Sequence, residues 1–252
     1  MTGYYDYFLG ADFGQASDYT ALALLEEPVW VAGRTTVDPT GLHPSDRHGW
    51  VSPSDLVPAQ LRYLRGDNYH RGRPPHPPLY LRHLERLRHV SYSAVVERIA
   101  TLLATPPLAG AAVCLVVDHT GVGRGVLDWL VAAGLSPLGV TITGGNMVHY
   151  DPDAGLVTCP KRDVIVATQA ALQNGRLRIA AGLEHAETLT AELKSYRVKI
   201  SQTGHDTYDA REGAHDDLVL ACGLAVWWRD WLNANLETAY AAAQRTPQGA
   251  YR

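Results

Sequence analysis

Apolar residues occur in short runs that end on turn-forming residues, a pattern typical of β-strands. Tyr7 to Asp12 forms one such run and Thr20 to Leu25 a second, with Gly14 and polar residues in the turn between them. Leu79 to Glu85 alternates in polarity and predicts a third strand. The continuous apolar run Ala112 to Val117 gives the strongest strand prediction, because it suits a strand that is buried on both sheet faces.

Apolar positions at helical spacing predict the helices of the chain. Ser93 is predicted to cap the first, and the others cover Arg124 to Ala133, Lys161 to Asn174, Leu183 to Ser195, and His215 to beyond Trp231. Further strands are predicted at Leu138 to Thr143 and Leu177 to Ala180, with a hairpin built from Tyr196 to Ser201 and Thr207 to Arg211. This order predicts an α/β fold, a mixed β-sheet flanked by helices on both faces.

At 252 residues the chain is long enough to form one large domain, 1–252, without disulfides or structural metal. The composition changes between about Gly33 and Pro78, where Pro, Gly, His and Arg dominate. We expect this Pro/Arg-rich excursion (residues 33–78) to be an insertion or a long loop with a short helix from Asp55 to Arg65. The tail after Arg245 is expected to be frayed.

The composition, 46% hydrophobic and 19% charged residues, is ordinary for a globular protein. No apolar run reaches membrane-spanning length and the N-terminus does not resemble a signal peptide, so we expect a cytoplasmic protein with no membrane contact. Cys114, Cys159 and Cys222 are expected to be buried reduced thiols. The formal charge of -4 argues against binding nucleic acid by global electrostatics, but is compatible with a weak or tethered DNA binder.

Acidic residues follow apolar segments at three widely separated places. Asp12 and Asp118 each end a predicted strand and precede a glycine-containing turn, and Asp216 and Asp217 open the last predicted helix. Carboxylates gathered in this way are the ligands that two-metal phosphodiester cleavage requires. Taken singly, Asp12 and Asp118 also suit turn formation, and the helical pair also suits the helix dipole. The order strand-acid, strand-acid, helix-acid favours the catalytic interpretation.

Four further residues are candidates for supporting roles. Asp18 and His215 are candidates to contact the ligating acids, with capping or solvent exposure as the alternative. Lys161 and Arg162 stand at a helix start, where basic side chains oppose the helix dipole. They are candidates to contact the phosphate of the scissile strand, with a solvated helix face as the alternative.

Four blocks of the sequence resemble successive blocks of the nuclease domains of tailed-phage large terminase subunits. They are Gly10 to Leu22, Val116 to Gly123, Cys159 to Arg162 and Gly213 to Val219. The blocks stand in the family's order and extend over nearly the whole chain.

The resemblance implies an RNase H-like fold and an endonuclease that cuts concatemeric double-stranded viral DNA during genome packaging. It assigns metal-ligand roles to Asp12, Asp118 and one or both of Asp216 and Asp217, which would hold two Mg²⁺ or Mn²⁺ ions. It also implies an ATPase motor, a portal and a small terminase as partners, in the cytoplasm of an infected or lysogenic host cell. The isolated chain is expected to be a monomer.

The sequence departs from the family in two respects. No GxxxxGK[ST] motif of an ATPase motor occurs, and Asp12 lies near the first residue, so we expect a separated nuclease domain or a stand-alone relative. The Pro/Arg-rich excursion is longer than the family leads us to expect. A lid, a DNA clamp and a disordered loop are the open interpretations of it.

Other functions fit parts of the same pattern. Sugar kinases and actin-like ATPases also place Asp-x-Gly turns after strands, as at Asp12 to Gly14 and at Asp118 to Gly123. Such kinases usually need more residues and do not require Asp216 and Asp217 at a late helix. Another RNase H-like nuclease, such as a junction resolvase, is a closer alternative. An inert DNA-binding module of the same fold is the non-enzyme alternative, and the intact set of acids argues against it.

Overall fold

A computed structural model describes residues 5–14, 18–28, 30–31, 34–35, 77–111, 113–151, 153–195, 197–200, 206–209 and 215–245. Most of the Pro/Arg-rich excursion, including the predicted helix from Asp55 to Arg65, lies outside these residues, as does the tail after Arg245.

Strands dominate the first half of the described chain and helices the second. The strands are β1 (Tyr5–Asp12), β2 (Tyr19–Pro28), β3 (Trp30–Val31), β4 (Arg34–Thr35), β5 (Leu79–Arg88), β6 (Val113–Asp118), β7 (Pro137–Thr143), β8 (His149–Asp151), β9 (Leu156–Pro160), β10 (Leu177–Ile179), β11 (Arg197–Ile200) and β12 (Asp206–Asp209). The helices are α1 (Tyr92–Leu103), α2 (Gly123–Ala132), α3 (Lys161–Gln173), α4 (Ala186–Ser195) and α5 (Asp217–Arg245).

Eight strands form one mixed sheet in the order β10-β5-β2-β1-β6-β7-β9-β8. Strand β1 pairs antiparallel with β2 and parallel with β6, and the parallel series continues through β7 to β9. Because parallel strands end at the same edge, Asp12, Asp118 and the start of α3 after β9 come to one side of the sheet. Strands β11 and β12 pair antiparallel, which confirms the predicted hairpin.

Helices cover both faces of the sheet, as predicted, and each face has its own core. Side chains alternate between the two faces along a strand, so Phe8 joins one core and its neighbour Leu9 the other. The first core contains α5 residues such as Trp228, and the second contains Ile99 of α1. Each fully buried Leu, Ile or Phe side chain stabilises the fold by roughly 1.5–3 kcal/mol.

Glycine at position 10 allows α5 to lie directly against β1. A Cβ atom at Gly10 would lie 1.9 Å from the carbonyl oxygen of Ala221, which is too close for any side chain. Ala221 stands one helical turn beyond Asp217, at the start of α5. The contact between these two backbones therefore brings the acids that open α5 close to Asp12, which ends β1.

Several predicted boundaries differ from the observed ones. Ser91, not Ser93, caps α1: its hydroxyl accepts a hydrogen bond from the backbone N–H of Ala94 at 3.3 Å. Helix α4 begins at Ala186 rather than Leu183. Strands β8 and β9 were not predicted, because β8 has only three residues and β9 runs without a turn into α3.

The three cysteines lie in the described part of the chain, in β6, β9 and α5. Cys114, Cys159 and Cys222 are free and buried, as expected. Burial raises the pKa of the Cys114 and Cys222 thiols to about 12, which keeps both protonated. None of the helices in the described part of the chain combines the length and apolar character that crossing a membrane would require.

Candidate active site

Asp12 and Asp118 end adjacent parallel strands at the same edge of the sheet. Asp12 is the last residue of β1 and Asp118 the last of β6, and both side chains are partly buried. The apolar strand residues before them fix the backbone of both acids within the core. The parallel pairing of β1 and β6 therefore brings these two predicted acids to the same edge of the sheet.

The ionisation of Asp12 is disfavoured by its surroundings. Burial raises the pKa of Asp12 well above its usual range, and the neighbouring carboxylates of Asp118, Asp216 and Asp217 raise it further. Burial also raises the pKa of Asp118, against the opposing effect of hydrogen bonds from Thr120 and from the Asp12 side chain. Acids in this position hold a proton or require a compensating cation.

The turn after Asp118 is fixed by short contacts. The backbone N–H of Thr120 donates to Oδ1 of Asp118 at 2.7 Å, and the Thr120 hydroxyl accepts from the N–H of Ile142 in β7 at 2.9 Å. A Cβ atom at Gly123 would lie 1.9 Å from the carbonyl oxygen of Asp118. The glycine-containing turn that the sequence placed here therefore folds back tightly on the acid and leads into α2.

The two acids at the start of α5 have different partners. Asp217 is buried, and Arg86 of β5 donates to its two oxygens at 2.9 Å from Nε and 2.9 Å from the second guanidinium nitrogen. Asp216 is partly exposed and accepts a hydrogen bond from Nζ of Lys161 at 2.9 Å. The structure therefore separates a pair that the sequence treats alike.

Arg86 joins several elements behind Asp217. Its guanidinium lies 3.8 Å from the centre of the Tyr19 ring, and this ring meets His215 edge-on at 5.1 Å. A guanidinium nitrogen of Arg86 also approaches Oε1 of Glu192 in α4 to 3.4 Å. The contact between Arg86 and Glu192 lacks hydrogen-bond geometry, since among the described side chains the buried Oε1 has no hydrogen-bond partner. Arg86 thus links β2, β5, α4 and the start of α5.

Glu192 is a second buried acid close to Asp217. Its Oε2 accepts a hydrogen bond from the backbone N–H of Val219 at 3.2 Å, in the first turn of α5. Burial and the nearby carboxylate of Asp217 raise the pKa of Glu192 to about 7. Neither Arg86 nor Glu192 was predicted from the sequence, where each resembles an ordinary polar residue of a strand or a helix.

The supporting residues predicted from the sequence take different positions. Lys161 joins the site through Asp216, as described. Asp18 and His215 are exposed and line the cavity in front of the acids. Arg162 instead donates to its neighbour Asp163 at 3.2 Å and does not belong to the cavity lining.

A polar cavity of about 410 Å³ opens in front of the four acids, and we call it the acid cavity. It is lined by Asp12, Phe13, Gly14, Asp18, Tyr19, Asp118, Thr120, Gly121, Val122, His215, Asp216 and Asp217. Its volume is within the range of about 300–1,000 Å³ that is usual for small-molecule sites. Carboxylates that inhibit each other's ionisation in such a cavity are typical of functional sites.

The acids suit a divalent cation in chemistry, though not yet in spacing. They offer only oxygen ligands, which Mg²⁺ and Mn²⁺ prefer. Across the described residues, no group of three or more His, Cys, Asp or Glu side chains is arranged so that it could hold a metal ion. The side chains of Asp216 and Asp217 are instead drawn to Lys161 and Arg86.

A family model places the chain among known proteins. The model described as "Terminase RNaseH-like domain" matches residues 79–227, more than half of the chain, and these residues include Asp118, Asp216 and Asp217. No curated protein matches the sequence.

Solved structures show the same fold. The chain is similar to the large terminase nuclease of the thermophilic phage G20c with bound magnesium, at a TM-score of 0.52 and 18% identity. The similarity to the same nuclease with bound cobalt has a TM-score of 0.51, also at 18% identity. Both matches cover 89% of this chain and 83% of the other chain. They confirm the predicted RNase H-like fold.

Proposed function

Because the chain belongs to the family of terminase RNaseH-like domains, we propose that it is a metal-dependent endonuclease that hydrolyses phosphodiester bonds of double-stranded DNA. The observation that carries the proposal is that Asp12, Asp118, Asp216 and Asp217 line one cavity, where burial and the other three carboxylates raise the pKa of Asp12. Bound divalent cations would compensate this negative charge and allow both acids to ionise. The magnesium and cobalt named with the phage G20c nuclease support divalent metal use.

We assign the ligand role to Asp12, Asp118 and Asp216. Asp217 is better suited to hold the start of α5 in place, because Arg86 already engages both of its carboxylate oxygens. Asp12, Asp118 and Asp216 would hold Mg²⁺ or Mn²⁺, which supplies an activated water molecule and stabilisation of the leaving oxygen. The described residues supply the oxygen ligands and the wall of the acid cavity that orients the scissile strand.

Lys161 has a separate role in this proposal. Its ammonium group now neutralises Asp216, from the first turn of α3. If Asp216 held a metal ion, the ammonium group of Lys161 beside it could contact a phosphate of the substrate strand. Lys161 would then link the metal site to the substrate.

The biological setting follows from the family. We propose that the chain cuts concatemeric viral DNA in the cytoplasm of an infected or lysogenic host, together with an ATPase motor, a portal and a small terminase. The formal charge of -4 fits an enzyme whose substrate is delivered by other components, since the chain has little global attraction for phosphates.

Plasmid cleavage with Mg²⁺ or Mn²⁺ tests the proposal. We expect Asp118→Asn to lower cleavage below detection, because the substitution keeps the shape of the side chain but removes a charged ligand. The matched control is Asp128→Asn, which changes an exposed acid of α2 in the same way and should cleave like the wild type. Cleavage by Asp118→Asn at the wild-type rate would contradict the proposal.

Two further measurements separate the alternatives. Calorimetric titration with Mn²⁺ should show binding to the wild type and weaker binding to Asp118→Asn. Titration with Mg-ATP should show no specific binding, whereas a kinase-like ATPase would bind it. Preferential cutting of four-way junctions over plain duplex would favour a junction resolvase, and DNA binding without any cleavage would favour an inert module.

A further inference from the structure

A second cavity lies beside the acid cavity and shares part of its wall. It has a volume of about 280 Å³ and lies between the end of β5, the start of α1 and the side of α2. Gly14 and Asp18 line both cavities. A substrate strand held at the acids can therefore reach the second cavity without leaving the protein surface.

Gly14, which both cavities share, is held by hydrogen bonds on both sides. The backbone N–H of Gly14 donates to the Thr20 hydroxyl at 3.2 Å, and the carbonyl oxygen of Gly14 accepts from the Tyr92 hydroxyl at 3.1 Å. A Cβ atom at Gly14 would lie 2.3 Å from the carbonyl oxygen of Tyr19, so the position requires glycine. These contacts tie Gly14, next to Phe13 and Asp12, to β2 and to the start of α1.

The lining of the second cavity differs in character from that of the acid cavity. Leu87, Val90, Tyr92 and Trp129 provide apolar surface, and Asp18 is the carboxylate at the junction of the two cavities. Hydrogen-bonding groups complete the lining: Thr20, His89, Ser91 and Ser93. This mixture suits a flat group that is apolar on its faces and polar at its edge, while the Asp18 carboxylate opposes a phosphate by like charge.

Trp129 supplies a surface on which such a group can stack. It belongs to α2, the helix that follows the Asp118 turn, and it is 50% exposed. A single exposed aromatic residue is ordinary, but this one lines a cavity that adjoins the acids. Aromatic side chains that bind nucleic acid strands stack on bases of any sequence, because every base has a flat face.

We propose that the second cavity receives one unpaired nucleobase of the substrate strand, stacked on Trp129, next to the phosphate held at the acids. This inference rests on the proposed nuclease function. The base must leave its stack to enter, and this costs least where the base is mismatched or already single-stranded. The cavity would therefore direct the nuclease to frayed or distorted positions in the duplex.

Binding and cleavage by Trp129 variants test this inference. The first probe is a fluorescent oligo-dT strand, titrated in EDTA so that no cleavage occurs. Trp129→Ala should weaken its binding about 5- to 100-fold, and Trp129→Phe should restore most of the affinity because it keeps a stacking ring. Val131→Ala is the matched control, since Val131 is 56% exposed on the same helix but does not line the cavity; it should bind like the wild type.

Cleavage supplies the second readout. With Mn²⁺, the wild type should cut a duplex with one mismatch faster than the fully paired duplex, and Trp129→Ala should cut the two at similar rates. Replacing one nucleotide of the oligo-dT strand by an abasic site should weaken binding to the wild type more than to Trp129→Ala. Equal binding of the intact and fully abasic strands would overturn the inference, because backbone contacts alone would then explain the affinity.

Failure of this inference is distinguishable from failure of the proposed function. If Trp129→Ala binds and cuts like the wild type while Asp118→Asn is inactive, the nuclease assignment stands and the base site is wrong. If Asp118→Asn cuts like the wild type, the nuclease mechanism is wrong. Oligo-dT binding that is unchanged in Trp129→Ala then also rejects the base site.

Discussion

Strand β1 and helix α5 carry charged residues at both ends of their contact, and the two ends balance charge in different ways. Away from the site, near Asp6, the fully buried Arg229 of α5 donates to both carboxylate oxygens of Glu27, at 2.5 and 3.0 Å. Its remaining nitrogen donates to Asp230 at 3.0 Å, and Arg176 also pairs with Asp230. Here the acids and bases are partners within the fold.

At the opposite end the acids face each other. Burial raises the pKa of both Asp12 and Asp118, and the neighbouring carboxylates raise the pKa of Asp12 further. Arg86 and Lys161 engage the acids of α5, and Arg86 also approaches Glu192. Burial of charge alone therefore does not mark a functional site. What marks it is an excess of one sign that the described fold does not neutralise.

The largest expected effect concerns the balanced end. Arg229→Met should lower the free energy of unfolding by about 3–5 kcal/mol, because it removes the buried cation that donates to both carboxylate oxygens of Glu27. Chemical denaturation measures this loss. The double variant Arg229→Met with Glu27→Gln should recover much of it, since it also removes the carboxylate charge. A loss below about 1 kcal/mol in the single variant would place this pair with exposed ion pairs, such as that of Arg98 with Glu85.

Arg86→Lys tests whether the pairing of Arg86 with Asp217 supports the acids of the site. Lysine keeps the charge but cannot donate to both oxygens of Asp217 in parallel. We expect cleavage and Mn²⁺ affinity to fall about 10- to 100-fold, as is usual when a group that orients metal ligands is changed. The matched control is Arg82→Lys on the same strand, which alters a partly exposed pair with Glu26 and should leave cleavage unchanged. Equal losses of cleavage in Arg86→Lys and Arg82→Lys would show that Arg86 has no specific role at the site.

The smallest expected effect is a gain of stability when Asp12, at the end where acids face each other, is replaced. Without metal, a carboxyl group whose folded pKa is raised stabilises the protein below its unfolded pKa of about 4, and this contribution is lost as pH rises through the folded pKa. The metal-free wild type should therefore lose stability as pH rises above about 4. Asp12→Asn should reduce this loss and raise the unfolding free energy near neutral pH by about 1 kcal/mol, while abolishing cleavage.

Thermal or chemical unfolding across this pH range, with EDTA present, measures the effect. Adding Mn²⁺ should stabilise the wild type more as pH rises, because the ion binds the ionised carboxylates. The same ion should add little to Asp12→Asn. A wild-type stability that rises with pH above 4 in EDTA would contradict the assigned direction for Asp12.

Local sequence patterns predicted the acids but not their partners. Asp12 and Asp118 could be predicted from the sequence, because a buried strand, an acid and a glycine turn are consecutive in the chain. Arg86 meets Asp217 across 131 positions, and no local pattern records such a pairing. Glu192 likewise meets Val219 of α5 from a separate helix. Helical position alone could not distinguish Asp216 from Asp217, because their difference arises from Lys161 and Arg86.

Apolar runs predicted the long strands, but not the short strands or the order of the sheet. Long apolar runs such as Val113–Asp118 predicted strands, because burial on both faces demands continuous hydrophobicity. The short β8 and β9 depend on pairing with each other and with β7, which their own residues do not encode. The order of the sheet, with β1 between β2 and β6, also required the three-dimensional structure.

The contact between Gly10 and Ala221 has a mechanical consequence. Side chains that separate two elements can change rotamer, so the spacing they define fluctuates. Here peptide groups touch without an intervening side chain, and the spacing between β1 and the start of α5 is as stiff as the backbone itself. The backbones that carry Asp12 and the acids of α5 are therefore held at a fixed spacing, and adjustment to a metal ion would come from the side chains.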